Sequence, residues 1–237
     1  MAREPLWKTI RDTVFSDISN AHYKSGDKLP TEAQLAARFG VNRHTVRQSL
    51  AALVDDGVIF TRRGAGAFVA TTPIDYPIGK RVRFHQNLSA IGKAGSREIT
   101  ASETRSANEK ERNALKLVEG EKVHVIEGIS YADDVPLAVF RSAFPAGPYP
   151  DLLRHIQATG STTHALNSCG VNDYTRASTR LTSKRATNLV ALKLKIPENA
   201  PVLKSISINI TSDGQPVEYG ATWFAGDRVT LSVDAET

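Results

Sequence analysis

The stretch "LPTEAQLAARFGVNRHTVRQSL", residues 29–50, restricts the fold of this chain more than any other. Thr31 can cap a helix, with Gln34 three residues on returning the bond, and Gly40 supplies the stop about two turns later. Only Gly40, Val41 and Asn42 separate it from a third helix that Asn42 caps and that carries Val46, Leu50 and Leu53 at i, i+4 and i+7. Two short helices joined by so tight a turn form a helix-turn-helix. With the apolar stripe facing a core, Arg43, His44, Thr45 and Arg47 fall at the N-terminal end of the opposite or flanking faces.

The neighbouring sequence completes a module. Residues 6–21 place Leu6, Ile10, Val14 and Ile18 on one stripe, with Trp7 and Phe15 beside it, and "SGDKLP" breaks the helix. "GVIFTRRGAGAFVA" reads as apolar strand, Arg–Gly turn, apolar strand: a hairpin with a basic tip. Helix, helix-turn-helix and hairpin make a winged helix complete by residue 70. Pro73 and Pro77 forbid a continuing helix, so residues 71–78 are expected to be a linker.

Beyond it strands dominate. They are expected near 98–106, 122–132, 136–144, 171–182, 201–212, 216–225 and 229–233, with helices near 108–116, 150–169 and 184–194. "VHVIEGISYADDVPLAVF" and "VLKSISINITSDGQPVEYG" echo one another as strand, acidic turn, Pro, strand. Residues 79–237 thus form an α+β domain: an antiparallel sheet with helices on a face.

Charge and composition exclude several classes. No apolar run nears the ~20 residues of a membrane span. The start "MAREPLWKTI" lacks the pattern of a signal peptide, so a cytoplasmic protein is expected. Cys169 is the single cysteine, fit for a small core position. No metal site and no cofactor are expected, since the histidines are scattered and no phosphate-binding or nucleophile signature occurs. The net charge is +5, and residues 1–72 hold 10 Lys/Arg against 7 Asp/Glu, so over half of the excess sits in the first third. A polyanion suits that end.

The chemistry of the first domain fits duplex DNA. An arginine can bridge guanine O6 and N7, and a threonine can donate to phosphate or touch a thymine methyl. Glu32 is a poor phosphate contact and is better suited to orienting an arginine. Each cation alone is an ordinary solvated residue; their joint placement on helix-turn-helix and wing favours DNA.

Residues 29–69, "LPTEAQLAARFGVNRHTVRQSLAALVDDGVIFTRRGAGAFV", resemble the DNA-binding domain of the gluconate-repressor family of bacterial transcription factors nearly throughout. The resemblance implies operator contacts from Asn42, Arg43, His44, Thr45 and Arg47, from Thr31, Glu32 and Arg38 on the second helix, and from Arg62, Arg63, Gly64 and Gly66 on the wing. His44 stands where a small hydroxyl or another polar residue is also common. A homodimer on two operator half-sites is implied.

"EGEKVHVIEGISYADDVPLAVFRSAFP", "TGSTTHAL" and "DGQPVEYGATWFAGDRVTLSV" make the second domain similar to the sensor of the histidine-utilisation branch, the UTRA type with the chorismate-lyase fold. "DYPIGKRVRFHQNLSAIG" resembles the phosphonate-utilisation regulators of that branch. A small anionic effector follows, with Arg81, Arg83, Phe84, His85, Gln86 and Asn87 as candidate ligands. Cations beside free N–H groups suit a phosphonate or phosphate, although the same segment also fits a solvated linker. Branch members that sense amino-sugar phosphates use two arginines on one strand and an acid on its hairpin partner, and at the matching positions this chain has Gly128, Ser130 and Phe140. Ser130, Arg141, Ser161 and Glu218 complete the candidates; Arg141 points away from Phe140's face under strand alternation, and Glu218 suits an ammonium. Three other readings stand beside a phosphonate- or phosphate-sensing repressor: a regulator of the same family that senses another small metabolite, a sugar phosphate or a urocanate-like compound; a chorismate-lyase-like enzyme; and a nucleoid protein that binds DNA without sequence preference.

Overall fold

The computed structural model describes residues 5–62, 64–70, 73–80, 88, 92 and 94–233. The chain divides into two units, residues 1–72 and 73–237.

In the first unit α1 (Leu6–Ser19), α2 (Glu32–Phe39) and α3 (Arg43–Asp55) precede a hairpin of β1 (Ile59–Arg62) and β2 (Gly66–Val69). Ile10 and Val14 of α1, Leu35 of α2, Val46, Leu50 and Leu53 of α3, and Ile59 and Val69 of the hairpin are buried in one cluster. Each such side chain contributes roughly 1.5–3 kcal/mol by leaving water. Thr31 and Gln34 close the capping box at α2, and Gly40 ends it in the left-handed region at φ 65°. That conformation costs a glycine nothing and turns the chain at once into the cap of α3. One core contact was not visible in the sequence: Ser49 is fully buried, and its hydroxyl donates to the Trp7 carbonyl at 2.8 Å, tying α3 to the start of α1.

The second unit is built on a six-stranded antiparallel sheet. Its strands are β4 (Gly95–Ser106), β5 (Lys122–Ala132), β6 (Val135–Pro145), β7 (Tyr174–Arg185), β8 (Pro201–Thr211) and β9 (Pro216–Ala225), in the order β4-β5-β6-β9-β8-β7. The echo in the sequence is a structural repeat. Strand, short helix and hairpin occur twice, with α4 (Glu109–Leu115) between β4 and β5 and α7 (Asn188–Leu194) between β7 and β8. The two halves meet where β6 pairs with β9. Between the halves run α5 (Leu152–Thr159) and α6 (Thr162–Ser168), packed with Phe140, Phe144 and Val217 of the sheet.

Three expectations require correction. The single helix expected over 150–169 is two, because Gly160 ends α5 and Ser161 caps α6. The helix expected from 184 begins at Asn188, since β7 runs to Arg185 and Thr187 is the cap. The linker expected over 71–78 contains β3 (Ile74–Pro77), which pairs in parallel with β10 (Val229–Ser232). Prolines forbid a helix there but not a two-stranded edge, and a partner some 150 residues later leaves no local signal.

Candidate DNA interface and effector pocket

On α3 the buried residues Val46, Ser49, Leu50 and Leu53 take one side, leaving Arg43, His44, Arg47 and Gln48 exposed on the other. The cap is built from two of the expected contact residues. Asn42 Oδ1 accepts from the Thr45 amide at 2.9 Å and from the Thr45 hydroxyl at 3.0 Å. Thr45 is half-buried and its hydroxyl proton is spent on the cap, so its methyl and lone pairs remain for a ligand, not the phosphate donation expected of it.

Glu32 holds Arg47. The guanidinium donates from Nε at 3.0 Å and from Nη2 at 2.7 Å to the two carboxylate oxygens, a forked pair joining the start of α2 to α3. This bond holds the Glu32 carboxyl below its ordinary value. Arg43 has no such carboxylate partner among the described ion pairs. Arg38 is anchored instead to α1, donating to Asp17 at 2.7 Å and lying over the Phe39 ring.

At the wing, Phe60 and Phe68 stack at 5.6 Å, and the Arg62 guanidinium lies over both rings at 5.0 and 5.2 Å. The stack fixes a cation beside the turn, where Gly64 and Gly66 take φ 76° and 106°. Arg63 lies outside the described residues.

In the second unit a cavity of about 380 Å³ crosses the sheet face. Strand by strand its floor carries Arg97 of β4, Ser130 of β5, Phe140 and Ser142 of β6, Glu218 of β9, Asn209 of β8 and Arg176 of β7. Ser161 to His164, at the start of α6, cover one side. Glu218 is held at both oxygens, accepting from the Ser142 hydroxyl at 2.6 Å and from the Asn209 amide at 2.6 Å. The Arg97 guanidinium lies 3.8 Å from the centre of the Phe140 ring. Burial pulls Arg97 below the ordinary arginine value, while the charge of Glu218 acts the other way. Arg97 and Arg176 are both only partly buried as residues, yet the Nε of each is closed to solvent and has no acceptor among the described residues.

Three of the expected effector residues, Ser130, Ser161 and Glu218, therefore line one cavity. Arg141 does not: it lies on the opposite sheet face, half-exposed, with Glu127 at 3.6 Å, because its neighbours Phe140 and Ser142 take the cavity side. Arg81, Arg83, Phe84, His85, Gln86 and Asn87 lie outside the described residues. Gly128 lies beneath the ring of Phe140, its partner across the strands: a Cβ there would meet the ring at 2.6 Å and the Glu98 carbonyl at 2.1 Å.

Sequence reasoning missed Arg97, Arg176, Ser142 and Asn209. One signal was present. In "SISINI" the small polar residues Ser205, Ser207 and Asn209 are buried while Ile206, Ile208 and Ile210 are half-buried, the reverse of an ordinary amphipathic strand. That inward polar face lines the cavity. Among the described residues no cluster of three metal-ligating side chains occurs, and no helix is long and apolar enough to cross a membrane.

Two family models match: "Bacterial regulatory proteins, gntR family" over residues 6–69 and "UTRA domain" over residues 90–230. An HTH-type transcriptional regulator of Rhizobium meliloti, RB1450, is 34% identical over 97% of this chain and 94% of its own. The probable transcriptional regulator PhnF of Escherichia coli is 34% identical over 90% and 88%. The crystal structure of PhnF from Mycobacterium smegmatis superposes with a TM-score of 0.68 at 24% identity, covering 96% of this chain and 99% of that one, a likeness of fold. The chain thus belongs to the gntR family of bacterial regulatory proteins and is a transcriptional regulator in which a helix-turn-helix domain is joined to a UTRA domain.

Proposed function

We propose that this protein is a homodimeric repressor that leaves its operator when a small phosphorus-containing anion, a phosphonate or phosphate, enters the cavity of the UTRA domain. The observation that carries the reading is the pair of arginines in that cavity whose buried Nε–H groups lack acceptors. A buried donor left unmade costs roughly 1–3 kcal/mol, so a ligand whose anionic oxygens accept from such donors is favoured. The resemblance of residues 75–92 to phosphonate-utilisation regulators narrows the anion to a phosphorus compound.

On the DNA side, Arg43, His44 and Arg47 would face base edges. Arg47 would arrive pre-oriented by Glu32, and Arg62 would stand at the minor groove or phosphates beside the wing. Arg38 and Thr31 would act by fixing α2. Two copies would occupy half-sites one helical turn apart. The effector must bind the DNA-free arrangement more tightly than the bound one, since equal affinity shifts no equilibrium.

Footprinting on the DNA flanking the protein's own gene, with and without phosphonates and phosphate, tests the reading. A symmetric site of two half-sites, released by a phosphorus compound, is expected. Uniform protection that no such compound relieves would overturn it in favour of a nucleoid protein.

A further inference from the structure

The repeat in the sensor extends to its charges. One and the same separation in sequence divides the helix caps Asn108 and Thr187, the left-handed residues Lys116 and Lys195, and the arginines Arg97 and Arg176. Each arginine stands on an edge strand opposite a polar residue of the next strand, Arg97 against Ser130 and Arg176 against Asn209. The duplicated fold has therefore placed one arginine at each end of a single groove.

One small anion cannot occupy both. The Arg97 guanidinium already lies over Phe140, two strands inward on β6, while Arg176 Nη1 stays 3.4 Å from Thr179 on its own strand, β7. From β6 to β7 are three strand spacings of about 4.8 Å, or about 14 Å across a flat sheet. A single tetrahedral phosphate does not reach across that distance with hydrogen bonds at both sides. Between the two stands Glu218 on β9, whose two oxygens accept only neutral donors, Ser142 and Asn209, and keep further acceptor capacity. The groove thus presents cation, anion, cation in order along its floor.

We infer that the effector has the complementary pattern: an anionic group at each end, one on Arg97 and one on Arg176, with an ammonium between them on Glu218. The inference rests on the cavity being the effector site and deepens that reading from a phosphorus anion to an amino acid-like compound with two acidic ends. Arg97 and Arg176 then select for length and for the second acid, and Glu218 for the amine.

Calorimetric titration of the full-length protein separates the possibilities. The probes are 2-amino-3-phosphonopropionate, which has all three groups; 2-aminoethylphosphonate, which lacks one acid; 3-phosphonopropionate, which lacks the amine; and inorganic phosphate. The first is expected to bind at least tenfold tighter than the others. Arg97→Gln and Arg176→Gln should each lower its affinity tenfold or more, and Glu218→Gln should erase its advantage over 3-phosphonopropionate. A cooperative unfolding transition at or above the wild-type midpoint shows that each variant is folded. Equal binding of 2-aminoethylphosphonate or phosphate, or no effect of Arg176→Gln, overturns the inference and leaves the phosphorus reading standing. If the sulfonate analogue 2-amino-3-sulfopropionate binds best, the inference stands and the phosphorus reading falls. Binding of none of these compounds overturns both.

Discussion

The two units handle charge in opposite ways. In the DNA-reading unit the arginines lie on an exposed face, and two of them are paired with carboxylates of the same unit, Arg47 with Glu32 and Arg38 with Asp17. In the sensor the arginines of the cavity are drawn partly out of water, and their Nε–H groups are left unmade. A surface that meets a polyanion can keep its cations solvated and pre-oriented, because the partner's charge is large and arrives from outside. A pocket that must detect one small molecule needs donors that nothing else satisfies, and it holds them at a cost to its own stability.

The largest expected effect tests how tightly the cavity floor is built. Gly128→Ala places a methyl 2.1 Å from the Glu98 carbonyl, so β4 must shift. Overpacking of this kind costs roughly 1–3 kcal/mol. Thermal unfolding of the variant should show the sensor transition lowered and the helix-turn-helix transition in place. Next comes the exposed side: Arg43→Ala should weaken operator binding by roughly 1–3 kcal/mol while leaving the unfolding midpoint unchanged, as read by fluorescence anisotropy on labelled duplex.

The contrast between the units becomes sharpest with Arg97→Met. Removing a desolvated, half-satisfied cation should stabilise the sensor by about 0.5–2 kcal/mol while abolishing the effector response, a gain that no arginine of α3 would give. Denaturant melts read the first effect and operator release the second. Glu32→Gln is the exposed counterpart. Its pair with Arg47 is solvated and screened, so the melt should barely move, whereas operator affinity falls as Arg47 loses its orientation.

The smallest effect is one of pH. Burial holds His124 below its ordinary value near 6.5, with Thr104 and the Tyr149 carbonyl at its two ring nitrogens. The unfolded chain therefore takes up a proton first. Stability from this group is complete above pH 6.5 and is lost as the pH falls through the lower folded value. The sensor midpoint should drop on acidification below pH 6.5, and His124→Asn should flatten that slope.

Legibility in the sequence follows the same division. Helix-turn-helix and wing could be read because every signal was local: Thr31 with Gln34, Gly40 with Asn42, Val46 with Leu50 and Leu53. The paired hairpins were legible for the same reason. The cavity was not, because its floor draws between one and four residues from each of six strands, and the order that joins β6 to β9 is set by packing across some 80 residues. Arg97 falls just before the strand expected from 98, and Arg176 lies in a strand that offers no sign of which face meets a cavity. Ser205, Ser207 and Asn209 form the polar half of an alternation whose apolar half looks like the core. The separation shared by the two arginines and the two helix caps carried further information in one dimension.

The central claim is that an anion entering the sensor cavity removes the protein from DNA. It is tested most directly by anisotropy of a labelled operator bound by the full-length protein, titrated with 2-aminoethylphosphonate, 2-amino-3-phosphonopropionate and phosphate. The account predicts that at least one of them releases the wild-type protein and that the same compound fails to release Arg97→Gln and Arg176→Gln. Release of all three proteins alike, or of none, would contradict it.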